Sequence, residues 1–252
     1  MKKILKKILP PKILIIIIQI YLKILPYTLV GFFLNHKMKN IKIEKFLIKF
    51  PKISNKDMGK YFFNVYENNE RRLVKTYLDS NSSVLELGGC VGVVSNVINN
   101  ILENKSNHVV LEANSNLVPF LAYNRKINKA QYQILNVILS KKKESAFYIS
   151  KNILSSSGSF NKHLEKKVVK CMNFDQIQSK YSITFDTIIM DIEGGEYEVL
   201  KVINYNKLKL LIVEFHPNIL GNKKILELKK VLKDNSFILK ESLSNVDVWK
   251  KN

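Results

Sequence analysis

Val84-Leu85-Glu86-Leu87-Gly88-Gly89-Cys90-Val91-Gly92-Val93-Val94-Ser95 is the stretch on which the fold turns. An apolar run carrying a single acid reaches two adjacent glycines, and a third glycine follows at 92. Apolar residues then recur at helical spacing: Val93, Val94, Val97, Ile98, Ile101 and Leu102. The pattern predicts a buried strand, a tight turn and a helix. Glycines at the turn let the backbone approach a ligand closely. The dinucleotide fingerprint is excluded, because it requires glycine at 88, 90 and 93, and the chain has Cys90 and Val93. A P-loop is excluded as well, since no GK[ST] follows.

Working outward, strand and helix patterns alternate from residue 83 onward. "HVVLE" (108–112), "YQILNVIL" (132–139), "DTIIMDIE" (186–193) and "LKLLIVEFH" (208–216) read as further strands. "FILKES" and "VDVWKK" read as a closing pair, and "AFYIS" and "KVVKCM" as extended pieces of an insertion. A helix after Ser115 tolerates Pro119 in its first turn, with Ser115 as its N-cap. Strands apolar on both faces and separated by helices predict a mostly parallel sheet covered on both sides. Ligands of such sheets bind beyond the carboxyl ends of the strands, near the switch in strand order.

The strand ends carry the chemistry. Glu112 closes the second strand, 24 residues after Gly88, where an acid accepts hydrogen bonds from ribose hydroxyls. Asn136 lies on the third strand, its amide suited to a base edge. The fourth ends in Asp191-Ile192-Glu193-Gly194-Gly195-Glu196, with Asp191 and Glu193 spaced to point to one side of an extended segment. The fifth ends in Glu214-Phe215-His216-Pro217. Taken singly, each has an ordinary structural reading: a turn, a capping acid, a solvated loop, a surface histidine. Together they fall at the ends of successive strands.

These stretches, with "VVLEANSNLVPFLAYNRKIN" and "LIVEFHP", resemble the FkbM family of class I S-adenosylmethionine-dependent methyltransferases. The most specific piece is Asp191-Ile192-Glu193-Gly194-Gly195-Glu196-Tyr197, similar to that family's D-[VI]-E-G-x-E signature. The resemblance spans roughly residues 80–250. It implies an α/β, Rossmann-like fold with a mostly parallel seven-stranded sheet and helices on both faces, and S-adenosyl-L-methionine as cofactor. By the same resemblance, Glu86, Gly88 and Gly92 frame the cofactor's methionine moiety. Glu112 holds the ribose, Ala113 and Asn114 lie beside the adenine, and Asn136 sits near its amino group. Asp191 and Glu193 face the transferred methyl. Cys90 departs from the class, where a middle glycine is frequent, and has no assigned role.

Removing a hydroxyl proton during transfer calls for a base. Asp191 and Glu193 are the first candidates and His216 the third. A carboxylate is weak for a sugar hydroxyl, so a divalent cation held by Asp191, Glu193 and Glu214 is a further expectation. The expected activity is O-methylation of a hydroxyl-bearing small molecule or glycan, on a cell-surface sugar or its lipid-linked precursor. Two alternatives stay open: a membrane-docked binding module of the same fold without turnover, and a nucleic-acid methyltransferase. Against the latter, the chain lacks the D/N-P-P-[YFW] motif of amino-group methylation, and no nucleic-acid partner is expected.

Charge and hydropathy divide the chain at Pro51. The formal net charge is +20, and residues 1–50 hold eleven lysines against one acid, Glu44. Ile13 to Leu22 is apolar but for Gln19, and Tyr27 to Leu34 is largely apolar again, with Lys23 and Pro26 between. No small-residue cleavage site follows, as a signal peptide needs. Lys23 and Pro26 weigh against a simple span. The segment reads as an interfacial or re-entrant anchor, with a single-pass span as its rival and a helix packed on the domain as the plain structural alternative. The expected organisation is therefore 1–50 as a basic, apolar, membrane-associating helical segment and 51–252 as the catalytic domain, facing the cytoplasm where S-adenosylmethionine is made. The two cysteines, Cys90 and Cys171, form no CxxC pair, which excludes a zinc cluster or disulfide framework and fits a reducing compartment.

Overall fold

The computed structural model describes residues 26–63, 65–149 and 165–251. The apolar block before residue 26 and the serine-rich stretch at 155–159 lie outside the described residues. The first described element is a helix, α1, over residues 26–37. A short hairpin follows, β1 (Ile41–Ile43) and β2 (Phe46–Ile48), then α2 (Asn55–Phe62) and α3 (Asn68–Tyr77).

The central sheet has seven strands. In chain order these are β3 (Val84–Leu87), β4 (His108–Leu111), β5 (Gln133–Leu135), β9 (Thr187–Met190), β10 (Leu210–Glu214), β11 (Phe237–Leu243) and β12 (Val246–Lys251). Their spatial order is β11-β12-β10-β9-β3-β4-β5. β5, β4, β3, β9 and β10 pair in parallel, while β12 runs antiparallel between β10 and β11. The chain starts in the middle at β3, moves out to β5, then returns to the other side at β9. The order therefore reverses between β3 and β9, and a ligand crevice is expected above their carboxyl ends.

Each central strand buries both faces, and alternate residues divide between two cores. Val84, Ile189, Leu210 and Ile212 face a core shared with Leu73 and Val74 of α3, with Val97 and Ile98 of α4 (Val93–Ile101), and with the β1–β2 hairpin. On the same side, Leu121 of α5 (Val118–Ile127) packs on Val110 and Tyr132. Leu85, Leu87, Ile188, Met190 and Leu211 face the opposite core. That core is closed by α6 (Phe174–Tyr181), α7 (Glu196–Leu200) and α9 (Asn222–Asp234), which follows the single turn α8 (Pro217–Leu220).

Three sequence expectations are corrected. "YQILNVIL" is not one strand: β5 stops at Leu135, and Ile138–Leu139 form β6, which joins a separate sheet with β7 (Glu144–Ile149) and β8 (Glu165–Met172). Ser115 does not cap α5, whose N-cap is Leu117 without a side-chain bond. The boundary at Pro51 does not coincide with a break in packing. Leu34, Ile41, Ile43, Phe46, Ile48 and Phe50 are buried in the same core as α3 and α4, so the folded unit begins well before it. Of the expected N-terminal apolar helical segment only α1 falls within the described residues, and among these no helix is long and apolar enough to cross a membrane. α1 lies tightly on α2: a Cβ at Gly31 would fall 1.7 Å from the Asn55 carbonyl oxygen.

Candidate active site

The turn after β3 is held from both neighbouring strands. Gly88 and Gly89 donate their N–H groups to the Leu111 carbonyl at 2.9 and 3.1 Å, and Asp191 donates its N–H to Leu87 at 3.0 Å. Gly88 has φ +91, and a Cβ there would lie 1.8 Å from the Asp191 carbonyl oxygen. No other residue fits at this crossing of strand ends. Gly92, at φ +87, opens α4.

Glu112 ties the turn to the end of β4. Its Oε2 accepts from the Cys90 N–H at 2.7 Å and its Oε1 from the Asn114 N–H at 2.6 Å. Cys90 adopts φ 48, a left-handed conformation that costs a non-glycine residue about 1 kcal/mol or more. That geometry aims its N–H at Glu112, which gives Cys90 a backbone role. Burial, then Glu67, pushes its thiol well up, so the sulfur stays protonated and unreactive. Burial also pushes the Glu112 carboxyl up to about 7, against the lowering effect of its two N–H donors.

A cleft of about 370 Å³ lies above these strand ends. Gly88, Cys90, Glu112, Ala113 and Asn114 line it on one side, and Asp191, Glu193 and Gly194 on the other. Leu111, Leu117, Val137 and Leu139 supply an apolar wall. Residues that sequence reasoning missed also border it: Tyr66 and Glu67 ahead of α3, and Lys142, Ser145 and Phe147 from the small sheet. Tyr66 and Glu67 are placed by Arg71, a buried guanidinium that donates to both their carbonyl oxygens at 3.1 and 3.0 Å and to Glu44 Oε1 at 2.8 Å. The β1–β2 hairpin thus reaches the cleft through Glu44 and Arg71.

Two expected cofactor contacts have other work. Glu86 is buried between β3 and α4. Its Oε1 accepts from Ser95 Oγ at 2.8 Å and its Oε2 lies 2.9 Å from His108 Nε2, so it braces the turn from beneath. Asn136 spends its amide N–H groups on the Glu112 and Ala113 carbonyls at 2.7 and 3.1 Å, and it is absent from the cleft wall. The β5–β6 break turns its side chain back onto the β4 end.

The β9 and β10 ends converge at the opposite side. Parallel register sets Val213 beside Met190, which brings the residues after each strand together. Glu193 is not extended: it has φ 49 and Gly194 has φ 97. Even so, the Asp191 and Glu193 carboxylates both reach His216, whose Nε2 lies 3.5 Å from Asp191 Oδ1 and 3.5 Å from Glu193 Oε2. His216 Nδ1 lies 2.6 Å from Oε1 of Glu196, a fully buried acid that also accepts from the Gly194 N–H. Burial alone lowers the imidazole's proton affinity. The hydrogen bond to Glu196 and the charges of Asp191, Glu196 and Glu193 outweigh it and hold His216 above its ordinary range. Burial raises the Asp191 carboxyl, with His216 opposing. Glu196 belongs to the site although only its place in the Asp191–Tyr197 motif marked it in the sequence.

Glu214 does not join this trio. It borders a small inner cleft with Glu67, Glu70, Glu86 and Asp191. Burial first, then Asp191 and Glu70, keep its carboxyl protonated at neutral pH, and burial pushes Glu67 up to about 8. The expected cation ligand set of Asp191, Glu193 and Glu214 is therefore not brought together. A protein of strong positive charge thus carries a cleft lined by carboxyl groups, which becomes complementary to a cation as those groups ionise.

Comparison with known proteins gives one family match: the Methyltransferase FkbM domain, over residues 86–243. No curated protein matches the chain. Among solved structures, it is similar in outline to precorrin-6y C5,15-methyltransferase of Geobacter metallireducens GS-15, with 13% identity, 73% of this chain and 87% of that one covered, and TM-score 0.45. It is also similar to the ribosomal protein L11 methylase of Lactobacillus delbrueckii subsp. bulgaricus, with 10% identity, 75% and 80% covered, and TM-score 0.46. M. jannaschii TYW2 in complex with AdoMet shows 14% identity, with 84% and 86% covered and TM-score 0.45.

Proposed function

The chain belongs to the FkbM methyltransferase family and is an S-adenosylmethionine-dependent methyltransferase, and on that premise we propose that its acceptor is a hydroxyl, on a sugar of a cell-surface glycan or of its lipid-linked precursor. The cleft residues fit the cofactor. Gly88 and Cys90 bring the β3 turn to the cleft wall, Glu112 offers carboxylate lone pairs where a ribose would lie, and Ala113, Leu117 and Val137 suit an adenine. When bound, S-adenosylmethionine supplies an electrophilic methyl group on a positively charged sulfur. The acids around the cleft would, in their ionised form, stabilise that charge and oppose a polyphosphate chain.

The observation that carries the hydroxyl reading is the convergence of Asp191, Glu193 and His216 at one end of the cleft. Methyl transfer to a hydroxyl would release the hydroxyl proton, and a group of this chain would have to take it. Asp191 or Glu193 would receive it, with His216, held protonated by Glu196 and these acids, facing both carboxylates. The alignment of oxygen, carbon and sulfur is the other requirement, and the rigid turn at Gly88 serves it.

A membrane location is supported by the N-terminal surface. Leu29, Phe32 and Phe33 of α1 and Phe62 and Phe63 at the end of α2 are exposed, and so are Lys42 and Lys45 of the β1–β2 hairpin. Apolar side chains flanked by lysines suit an anionic bilayer surface on the cytoplasmic side. The test is a labelled-methyl assay on glycolipid extracts, with mass spectrometry of surface glycans from cells with and without the protein. Label in the glycolipid fraction and one extra methyl group on a glycan are expected. Label confined to RNA or protein would overturn the assignment.

A further inference from the structure

We propose that Asp191, Glu193 and His216 form a binding site for a divalent first-row metal ion of the Mn²⁺ type, which holds the acceptor hydroxyl. The inference deepens the hydroxyl reading and rests on it for the role of the ion, although not for its binding. His216 Nε2 lies 3.5 Å from Asp191 Oδ1 and 3.5 Å from Glu193 Oε2, and one ligand atom from each of the three residues lies within 4.8 Å of the other two. A point equidistant from atoms so spaced is about 2.0–2.4 Å from each, the length of first-row metal bonds to nitrogen and oxygen. The 3.5 Å separations are long for hydrogen bonds and suit neighbouring ligands of one ion.

A second observation comes from behind the ring. His216 Nδ1 is engaged by Glu196, which is fully buried, so the imidazole is fixed with Nε2 facing the two carboxylates. A buried carboxylate on the far nitrogen of a histidine is the outer-sphere arrangement that orients metal ligands and raises their basicity. Asp191 Oδ1, one of the three converging atoms, is shielded from solvent and makes no hydrogen bond. One imidazole and two carboxylates leave coordination positions open toward the cleft that Asp191 and Glu193 line. The mixed nitrogen and oxygen set is harder than a zinc thiolate site and softer than an all-oxygen Mg²⁺ site. An ion there would acidify a hydroxyl bound at an open position. With each carboxylate ligating through one oxygen, the other remains to take the proton.

The experiment is an Mn²⁺ titration of the full chain after EDTA treatment, followed by electron paramagnetic resonance. Loss of the free-ion signal with a stoichiometry of one per chain is expected, with nitrogen coupling from one imidazole in the bound spectrum. His216→Ala should weaken binding at least about tenfold and abolish the nitrogen coupling, while Glu214→Gln leaves both unchanged. Absence of saturable binding, or a wild-type spectrum without imidazole coupling, would overturn the site whatever the variants do. S-adenosylmethionine binding by calorimetry, with EDTA present, keeps the two readings apart. Its loss would sink the methyltransferase site and leave the Mn²⁺ result standing, and the converse also holds.

Discussion

Glu112 shows at the residue scale how one carboxylate serves fold and ligand together. Its oxygens accept the Cys90 and Asn114 N–H groups, and their remaining lone pairs face the cleft. Because burial holds its pKa at about 7, the acceptor form becomes fully available only above neutrality. S-adenosylmethionine affinity should therefore rise as pH climbs from about 6 to 8, and Glu112→Gln should flatten the profile. Stability without cofactor should move the other way. The folded-state values of Glu112, Glu67 and His216 are all raised, so each contributes stability below its unfolded value and loses it as pH rises through its folded one. The melting temperature should fall between about pH 6 and 9, with a shallower slope in Glu67→Gln. Legibility at this scale was uneven. Glu112, Asp191, Glu193 and His216 stood at strand ends and could be read from position. Glu86 and Asn136 stood at strand ends too, but the direction of a side chain and its local partners are set by packing that no spacing reveals.

At the scale of elements, the alternation of apolar runs gave the central strands, because a strand buried on both faces has to be apolar throughout. The β5–β6 break was illegible, since both halves are apolar and only Asn136 between them interrupts the run. The segment between Pro51 and β3 was not read as part of the site. Tyr66 and Glu67 reach the cleft because Arg71 holds their carbonyls, and Arg71 in turn is held by Glu44 of the hairpin turn. This chain of bonds joins residues 27 positions apart, too far for a local pattern. Removing one partner of a buried charge pair costs about 3–5 kcal/mol. Arg71→Ala should lose stability of that order, read by urea denaturation, and weaken cofactor binding as well. Lys75→Ala, which removes an exposed partner of the same Glu44, should cost about 1 kcal/mol or less.

For the whole molecule, charge and exposed apolar surface are both concentrated at the N-terminal side, while acids line the cleft. Net charge alone is ambiguous among nucleic acid, membrane and background composition; the location of the acids decides what suits the cleft. The full chain should co-float with vesicles containing anionic lipid and release as salt rises, whereas neutral vesicles should bind less. Replacing Leu29, Phe32 and Phe33 by serine should reduce flotation without altering cofactor binding, because α1 contributes no residue to the cleft wall. Flotation unchanged by those substitutions would remove α1 from the contact.

The central claim is that the cleft between β3, β4 and β9 is the S-adenosylmethionine site. Isothermal calorimetry of the full chain with S-adenosylmethionine tests it most directly. The account predicts one saturable site per chain, weakened about 10- to 100-fold by Glu112→Ala through loss of charged hydrogen bonds, and retained in Glu214→Gln. No saturable binding, or binding that Glu112→Ala leaves unchanged, would contradict it.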